Sequence, residues 1–132
     1  FEDGFVPVTW FLDRHIPDPN YSGPYRDNPF IAVGIHEPGT DKEARPRHRK
    51  PSWGIPYRCL YSRNVVNLFM AGRNISTTYW ALGAVRVMRT CGLMGEVAGT
   101  AAAVCARHGC LPREVYKTYL EELKRLLGAS ST

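Results

Sequence analysis

Three glycines, Gly92, Gly95 and Gly99, recur at spacings of three and four residues within a run of small and aliphatic residues. In a helix this spacing places all three on one face. Each glycine inside a helix costs roughly 1 kcal/mol relative to alanine, so the pattern predicts that something approaches the helix backbone there. A neighbouring strand would explain the later glycine. A ligand at the first turn is the functional alternative, because free N–H groups and partial positive charge suit an anionic or carbonyl-bearing cofactor.

The segment 44–95 contains no aspartate or glutamate, in a chain whose net charge is +5. Its cations are Arg45, Arg47, Arg49, Lys50, Arg58, Arg63, Arg73, Arg86 and Arg89. Such a segment generates a positive field that favours phosphate, carboxylate or nucleic acid. The alternative is pairing with acids elsewhere in the chain, such as Glu2, Asp3, Asp13 or Asp41. Both interpretations hold equally for the basic run 45–50, which has the composition of an exposed loop.

The four cysteines are too few and too scattered for a disulfide framework and are expected to be reduced thiols. They are Cys59, Cys91, Cys105 and Cys110. Cys105, His108 and Cys110 lie close together in the sequence, but three ligands without an obvious fourth fall short of a tetrahedral zinc site. We therefore predict no metal site.

The chain of 132 residues is long enough for one domain or part of one. All prolines except Pro112 fall in the first 56 residues, which predicts turns and short strands there, with 5–12 and 30–35 as the best strand candidates. The polar, basic stretch 39–52 is expected to be a surface excursion. No apolar stretch reaches the roughly 18 residues needed to span a membrane, so no membrane partner is expected.

The second half of the chain is expected to begin with two strands, 55–61 and a buried one at 65–71. The glycine-containing helix over 92–106 follows, with Thr90 capping its first turn and Gly109 just past its end.

A last helix is expected to begin at Pro112 and to run to about Leu127, with Gly128 after it. Its apolar stripe consists of Tyr116, Leu120, Leu123 and Leu127. This helix is interpreted as a packing element without a role in chemistry.

Three stretches carry a resemblance to a known family: IPYRCLYSRNVVNLFMAGRNIS, ALGAVRVMRTCGLMGEVAGTAAAV and LPREVYKTYLEEL. A strand followed by AGRNIS and then by ALGxVRVMxTCGxMGExAGTAA is specific as a combination, whereas a lone AGR or GxxG is not. The segment 55–127 thus resembles the C-terminal region of the FAD-dependent oxidoreductase family with a glutathione-reductase-type flavin fold. Some bacterial members are labelled xanthan lyase-associated.

The resemblance implies an α/β fold, in which this chain is the C-terminal part of an FAD/NAD(P)-binding Rossmann-like domain. Residues 55–128 would form that part. Residues 1–54 would be a strand- and turn-rich segment of a substrate or cap region, and residues 129–132 a disordered tail.

The resemblance also implies a set of cofactor contacts. The turn after the AGR strand would contact FAD through Gly72, Arg73 and Asn74. The start of the long helix would surround the pyrimidine edge of the flavin, where its backbone amides stabilise negative charge. The residues of that start are Thr90, Cys91, Gly92, Leu93 and Met94.

The catalytic assignments implied by the resemblance are Tyr79 and Arg86. Arg86 and Arg89 would add positive potential near the helix start, or one of them would meet an acidic substrate. Tyr79 stands where relatives often have histidine, and its ordinary pKa of about 10 makes it a weak base near neutrality. Tyr57 and Arg58 are expected on the substrate side.

The sequence contains no GxG, so the glycine fingerprint that grips a dinucleotide phosphate is missing. We therefore expect that the chain is inactive alone and that a missing N-terminal half of the same enzyme completes the FAD site. The predicted function is hydride transfer between FAD and a small-molecule substrate, with no nucleic-acid partner. A basic nucleic-acid-binding module is the first alternative, and a degenerate flavoprotein-fold scaffold without cofactor is the second.

Overall fold

The computed structural model describes residues 1–8, 10, 13–17, 32–36 and 53–128, and for 13–17 and 32–36 only the backbone. These residues form two antiparallel two-stranded sheets, a 3-10 turn and four α-helices. The strands are β1 Gly4–Pro7, β2 Asp13–Pro17, β3 Ala32–His36 and β4 Gly54–Pro56. The helices are α1 Tyr79–Val85, α2 Met88–His108, α3 Pro112–Thr118 and α4 Leu120–Leu126. The presence of both strands and helices agrees with a mixed α/β class, although neither sheet in the described part of the chain is parallel.

The pairing of β1 with β4 builds the sheet that lies against α2. Val6 lies opposite Ile55, and both side chains are buried in the core. Gly54 approaches Gly4 so closely that a Cβ at position 54 would collide with the Gly4 carbonyl, so the pairing requires glycine there. The sheet joins strands from both sides of the domain boundary predicted near residue 54.

The strands predicted at 5–12 and 30–35 correspond to β1 and β3. The first is shorter than predicted, because β1 ends at Pro7. The strand predicted at 55–61 is only partly formed. It ends at Pro56, where the chain enters the 3-10 turn Tyr57–Cys59 and the Tyr57 N–H donates to the Asp3 carbonyl at 2.7 Å. The prediction for 39–52 lies outside the described residues, and so does the tail from residue 129.

The prediction of a buried strand at 65–71 is wrong. Val65 and Val66 are 48% and 64% exposed, and the segment makes one isolated bridge, between Tyr61 and Phe69. The cause is a local turn, in which the Ser62 hydroxyl accepts hydrogen bonds from the N–H groups of Asn64 and Val65 at 3.2 and 3.0 Å. These two N–H groups are therefore not available for hydrogen bonds to a neighbouring strand.

The long helix α2 has one buried face and one exposed face. The buried residues recur every three or four positions and are Thr90, Met94, Val97, Ala98, Ala101 and Val104. The predicted end is confirmed, because Gly109 adopts φ +60° and the Cys110 N–H reaches the Cys105 carbonyl. The predicted cap at Thr90 is wrong: the helix begins at Met88 after Val87, whose side chain makes no cap.

The predicted last helix forms, but Tyr119 divides it into α3 and α4. The Tyr119 ring stacks on His108 with centroids 4.1 Å apart. Of the predicted apolar stripe, Leu123 is fully buried, while Tyr116 and Leu127 pack partly buried against the core.

Helix α1 was not predicted from the sequence. The Thr78 hydroxyl caps it by accepting a hydrogen bond from the Ala81 N–H at 3.3 Å. Among the helices described, none has the length and apolar character to cross a membrane.

Candidate functional site

The three predicted glycines lie along the exposed side of α2. A Cβ built at Gly92, Gly95 or Gly99 would meet nothing outside the helix within 4 Å. The same side continues with exposed alanines, Ala102, Ala103 and Ala106. We call these six residues the glycine face. A neighbouring strand, which would explain the later glycine, is not found against this face within the described ranges.

The free amides at the start of α2 belong to Met88, Arg89 and Thr90, which have no carbonyl partner in the preceding turn. From Cys91 onward the amides enter the helical ladder, beginning with the Cys91 N–H to the Val87 carbonyl at 2.9 Å. Of the predicted residues 90–94, only Thr90 therefore has a free amide, and their contact with the flavin stays a prediction. The available donors and the positive end of the helix lie in the turn just before.

The side chains of the predicted helix-start residues point in different directions. Met94 is fully buried and fills the core, and Leu93 is half-buried against it. The Cys91 thiol donates to the Val85 carbonyl at 3.7 Å. Thr90 is fully buried, and its hydroxyl has no hydrogen-bond partner within the described residues. A buried hydroxyl without a partner costs about 1–3 kcal/mol, so the first turn of α2 contains one unsatisfied polar group.

The predicted turn at Gly72, Arg73 and Asn74 is present, and its geometry requires glycine. Gly72 has φ +92°, a conformation that residues with a side chain rarely adopt. The Ile75 N–H closes the turn onto the Gly72 carbonyl at 3.1 Å, and Ile75 is buried. Arg73 and Asn74 are exposed, and no ion pair to Arg73 is found in the part of the chain that the structure describes. The turn thus presents a cation and an amide to solvent from a fixed backbone.

Tyr79 and Arg86 occupy opposite ends of α1. Seven residues on a helix correspond to a rise of roughly 10 Å between their backbones. Tyr79 is about half-exposed, with 53% of its surface accessible. Arg86 is the residue that follows the last residue of α1, two positions before α2 begins, so that Arg86 and the exposed Arg89 flank the start of α2.

The structure gives Tyr57 and Arg58 partners within the chain. Tyr57 is fully buried, its hydroxyl donates to the Pro112 carbonyl at 2.7 Å, and burial raises its pKa above the ordinary range. The Arg58 guanidinium contacts the buried Asp3 carboxylate at 2.8 and 3.0 Å, and this hydrogen bonding raises the pKa of Arg58. Their substrate-side role stays a prediction that depends on the resemblance alone.

Two side chains at the end of α2 contact the carboxylate of Glu122 in α4. His108 Nε2 lies 2.8 Å from a Glu122 carboxylate oxygen, and Arg107 contacts the other oxygen at 2.7 Å. The described residues include no group of three or more histidine, cysteine or acidic side chains that could hold a metal ion.

Comparison with known proteins identifies a family. A family model described as FAD dependent oxidoreductase matches residues 1–127, almost the whole chain. Searches of curated proteins and of solved structures found no significant match. The matched range includes the turn at Gly72 and the start of α2.

Proposed function

Because this chain belongs to the FAD dependent oxidoreductase family, we propose that it forms the C-terminal, flavin-contacting part of such an enzyme. The proposed reaction is hydride transfer between a small organic substrate and FAD. The phosphate-gripping fingerprint that this sequence lacks would come from the N-terminal half of the same enzyme. The chain would then be the C-terminal part of a Rossmann-like domain.

The open glycine face is the observation that carries this proposal. Three glycines weaken α2, yet no atom outside the helix approaches any of them within the described residues. A partner beyond those residues would explain their presence. At Gly92 the partner we propose is FAD, because the free amides of Met88, Arg89 and Thr90 lie in the adjacent turn.

The chain contributes binding groups and charge to this site. The Gly72 turn, with Arg73 and Asn74, provides a fixed backbone that a cofactor can approach closely. FAD, when bound, supplies the acceptor for a hydride, and negative charge collects on its pyrimidine edge upon reduction. The positive end of α2 and the Arg86 and Arg89 guanidinium groups would stabilise that charge.

The unsatisfied hydroxyl of Thr90 lies on the buried face of α2, away from the glycine face, so it is not part of this proposed site. Tyr79, half-exposed at the start of α1, is the proposed proton donor or relay to the substrate.

The test is the flavin content of the full-length enzyme and of two variants with the same new side chain. Gly92→Leu places a leucine on the glycine face, and Lys117→Leu places one at an exposed position of α3. We expect the wild type and Lys117→Leu to be yellow and Gly92→Leu to be soluble, folded and colourless.

Three outcomes would contradict the proposal in different ways. Normal flavin in Gly92→Leu would remove the start of α2 from the site. A wild-type protein that is colourless and fails to bind added FAD would favour the degenerate scaffold. A wild-type protein without flavin that is retained on DNA in a salt-dependent manner would favour the nucleic-acid-binding module.

A further inference from the structure

The end of α2 brings two cysteines together through its backbone. Gly109 in the left-handed conformation turns the chain, and the Cys110 N–H donates to the Cys105 carbonyl at 3.0 Å. In this type of helix end, the side chains of the two bonded residues commonly contact each other. Standard bond lengths and the 3.0 Å contact limit the separation of the two α-carbons to less than about 7 Å. A disulfide requires a separation within roughly that limit.

The two thiols also meet as side chains. The Cys110 thiol is close enough to influence the pKa of Cys105, and both side chains are partly buried against the same core. Both lie close enough to Tyr57 to influence its ionisation. The Tyr57 hydroxyl donates to the Pro112 carbonyl, so the tyrosine near the two thiols is held by both the 3-10 turn and α3.

We propose that Cys105 and Cys110 are a redox-active pair, which forms a reversible intrachain disulfide by exchange with a low-molecular-weight disulfide. One thiolate attacks the small disulfide, forms a mixed disulfide and releases one small thiol. The second cysteine then attacks the protein sulfur of that mixed disulfide and releases the second small thiol. The two protein thiols are oxidised, the small disulfide is reduced, and the two protons leave on the two small thiols. This reaction requires no flavin.

The other cysteines do not have this arrangement. Cys91 lies on the same helix fourteen residues before Cys105, which corresponds to a rise of roughly 21 Å. Cys59 is exposed, and the groups that influence its pKa, after burial, are Asp3 and Arg58 rather than a thiol. Only Cys105 and Cys110 are therefore adjacent in the described part of the chain.

The rate of exchange should depend on pH. Burial and then the neighbouring Cys110 raise the pKa of the Cys105 thiol to about 11, and Glu114 adds to the effect. Thiolate at Cys105 is therefore scarce near neutrality, and we expect faster exchange in mildly alkaline buffer.

The experiment is incubation of the purified chain with oxidised glutathione, followed by alkylation of the remaining thiols, tryptic digestion and mass spectrometry. Trypsin cleaves after Arg89, Arg107 and Arg113, so Cys105 and Cys110 fall on separate peptides, 90–107 and 108–113. We expect these peptides to be joined until a reductant is added. Separate glutathione adducts on both cysteines, without the joined pair, would overturn the proposal.

Variants identify the partners. Peptide 90–107 also contains Cys91, so Cys91→Ser must retain the joined pair, and Cys59→Ser must retain it too. In Cys105→Ser we expect glutathione to remain attached to Cys110, because no second thiol displaces it. Loss of the joined pair in Cys91→Ser would show that the wrong cysteine had been assigned.

Discussion

Replacement of the helix glycines by alanine should stabilise this chain. A Cβ at Gly92, Gly95 or Gly99 meets no atom outside the helix within 4 Å, so alanine introduces no steric clash. Alanine restricts the unfolded chain and has the higher helix propensity. Each substitution should therefore raise the free energy of unfolding by about 0.5–1 kcal/mol. The positions share no partner in the described residues, so the triple variant should gain about 1.5–3 kcal/mol if the effects add.

The assay is urea denaturation of the 132-residue chain, followed by circular dichroism, with the midpoint and slope fitted for each variant. Ala102→Gly is the matched control, since it makes the reverse change on the same face and should destabilise by about 1 kcal/mol. Unchanged or lower stability in the three alanine variants, with the expected loss in Ala102→Gly, would refute the reasoning. It would mean that the glycines already have a close neighbour in this chain.

Three further predictions concern the core and the surface around it. Met94→Ala should destabilise the chain by about 2–5 kcal/mol in chemical denaturation because its side chain is 0% exposed; Met88→Ala, at 92% exposed on the same helix, should be nearly neutral, and equal losses would contradict the packing. Tyr57→Phe should cost about 1 kcal/mol in the same assay through loss of one buried hydrogen bond to α3, and a neutral result would show that the bond contributes nothing. The pKa of Glu122 is lowered, chiefly by a hydrogen bond from His108, so its contribution to stability is present above the unfolded value near 4.5 and is lost as pH falls through the folded value. A stability profile over acidic pH should therefore be flatter in Glu122→Gln, and an identical profile would contradict the interaction.

The end of α2 was predictable from the sequence and its beginning was not. Gly109 is a local signal, because few other residues adopt its positive φ. The helix begins after Val87, which has no side-chain acceptor, whereas Thr90 has the right chemistry for a cap at the wrong position. The free amides therefore lie at 88–90, and only Thr90 among them belongs to the predicted set 90–94.

The wrong prediction of a strand at 65–71 shows that residues with high β-propensity do not by themselves form a strand. Val65 and Val66 have high β-propensity, but a strand needs a neighbour, and the turn at Ser62 directs the segment outward instead. The contacts of Arg58 could not be predicted from local sequence either, because its acceptor Asp3 lies fifty-five positions away. In contrast, the turn at Gly72 was found because its glycine and its family motif coincide.

The most direct test of the central claim is the amount of flavin bound per polypeptide in the purified full-length enzyme, measured by visible absorption after release of the cofactor. We expect close to one FAD per chain in the wild type and a large loss in Gly92→Leu, while the folded structure is retained. Wild-type protein that neither carries flavin nor binds added FAD would contradict the proposed function.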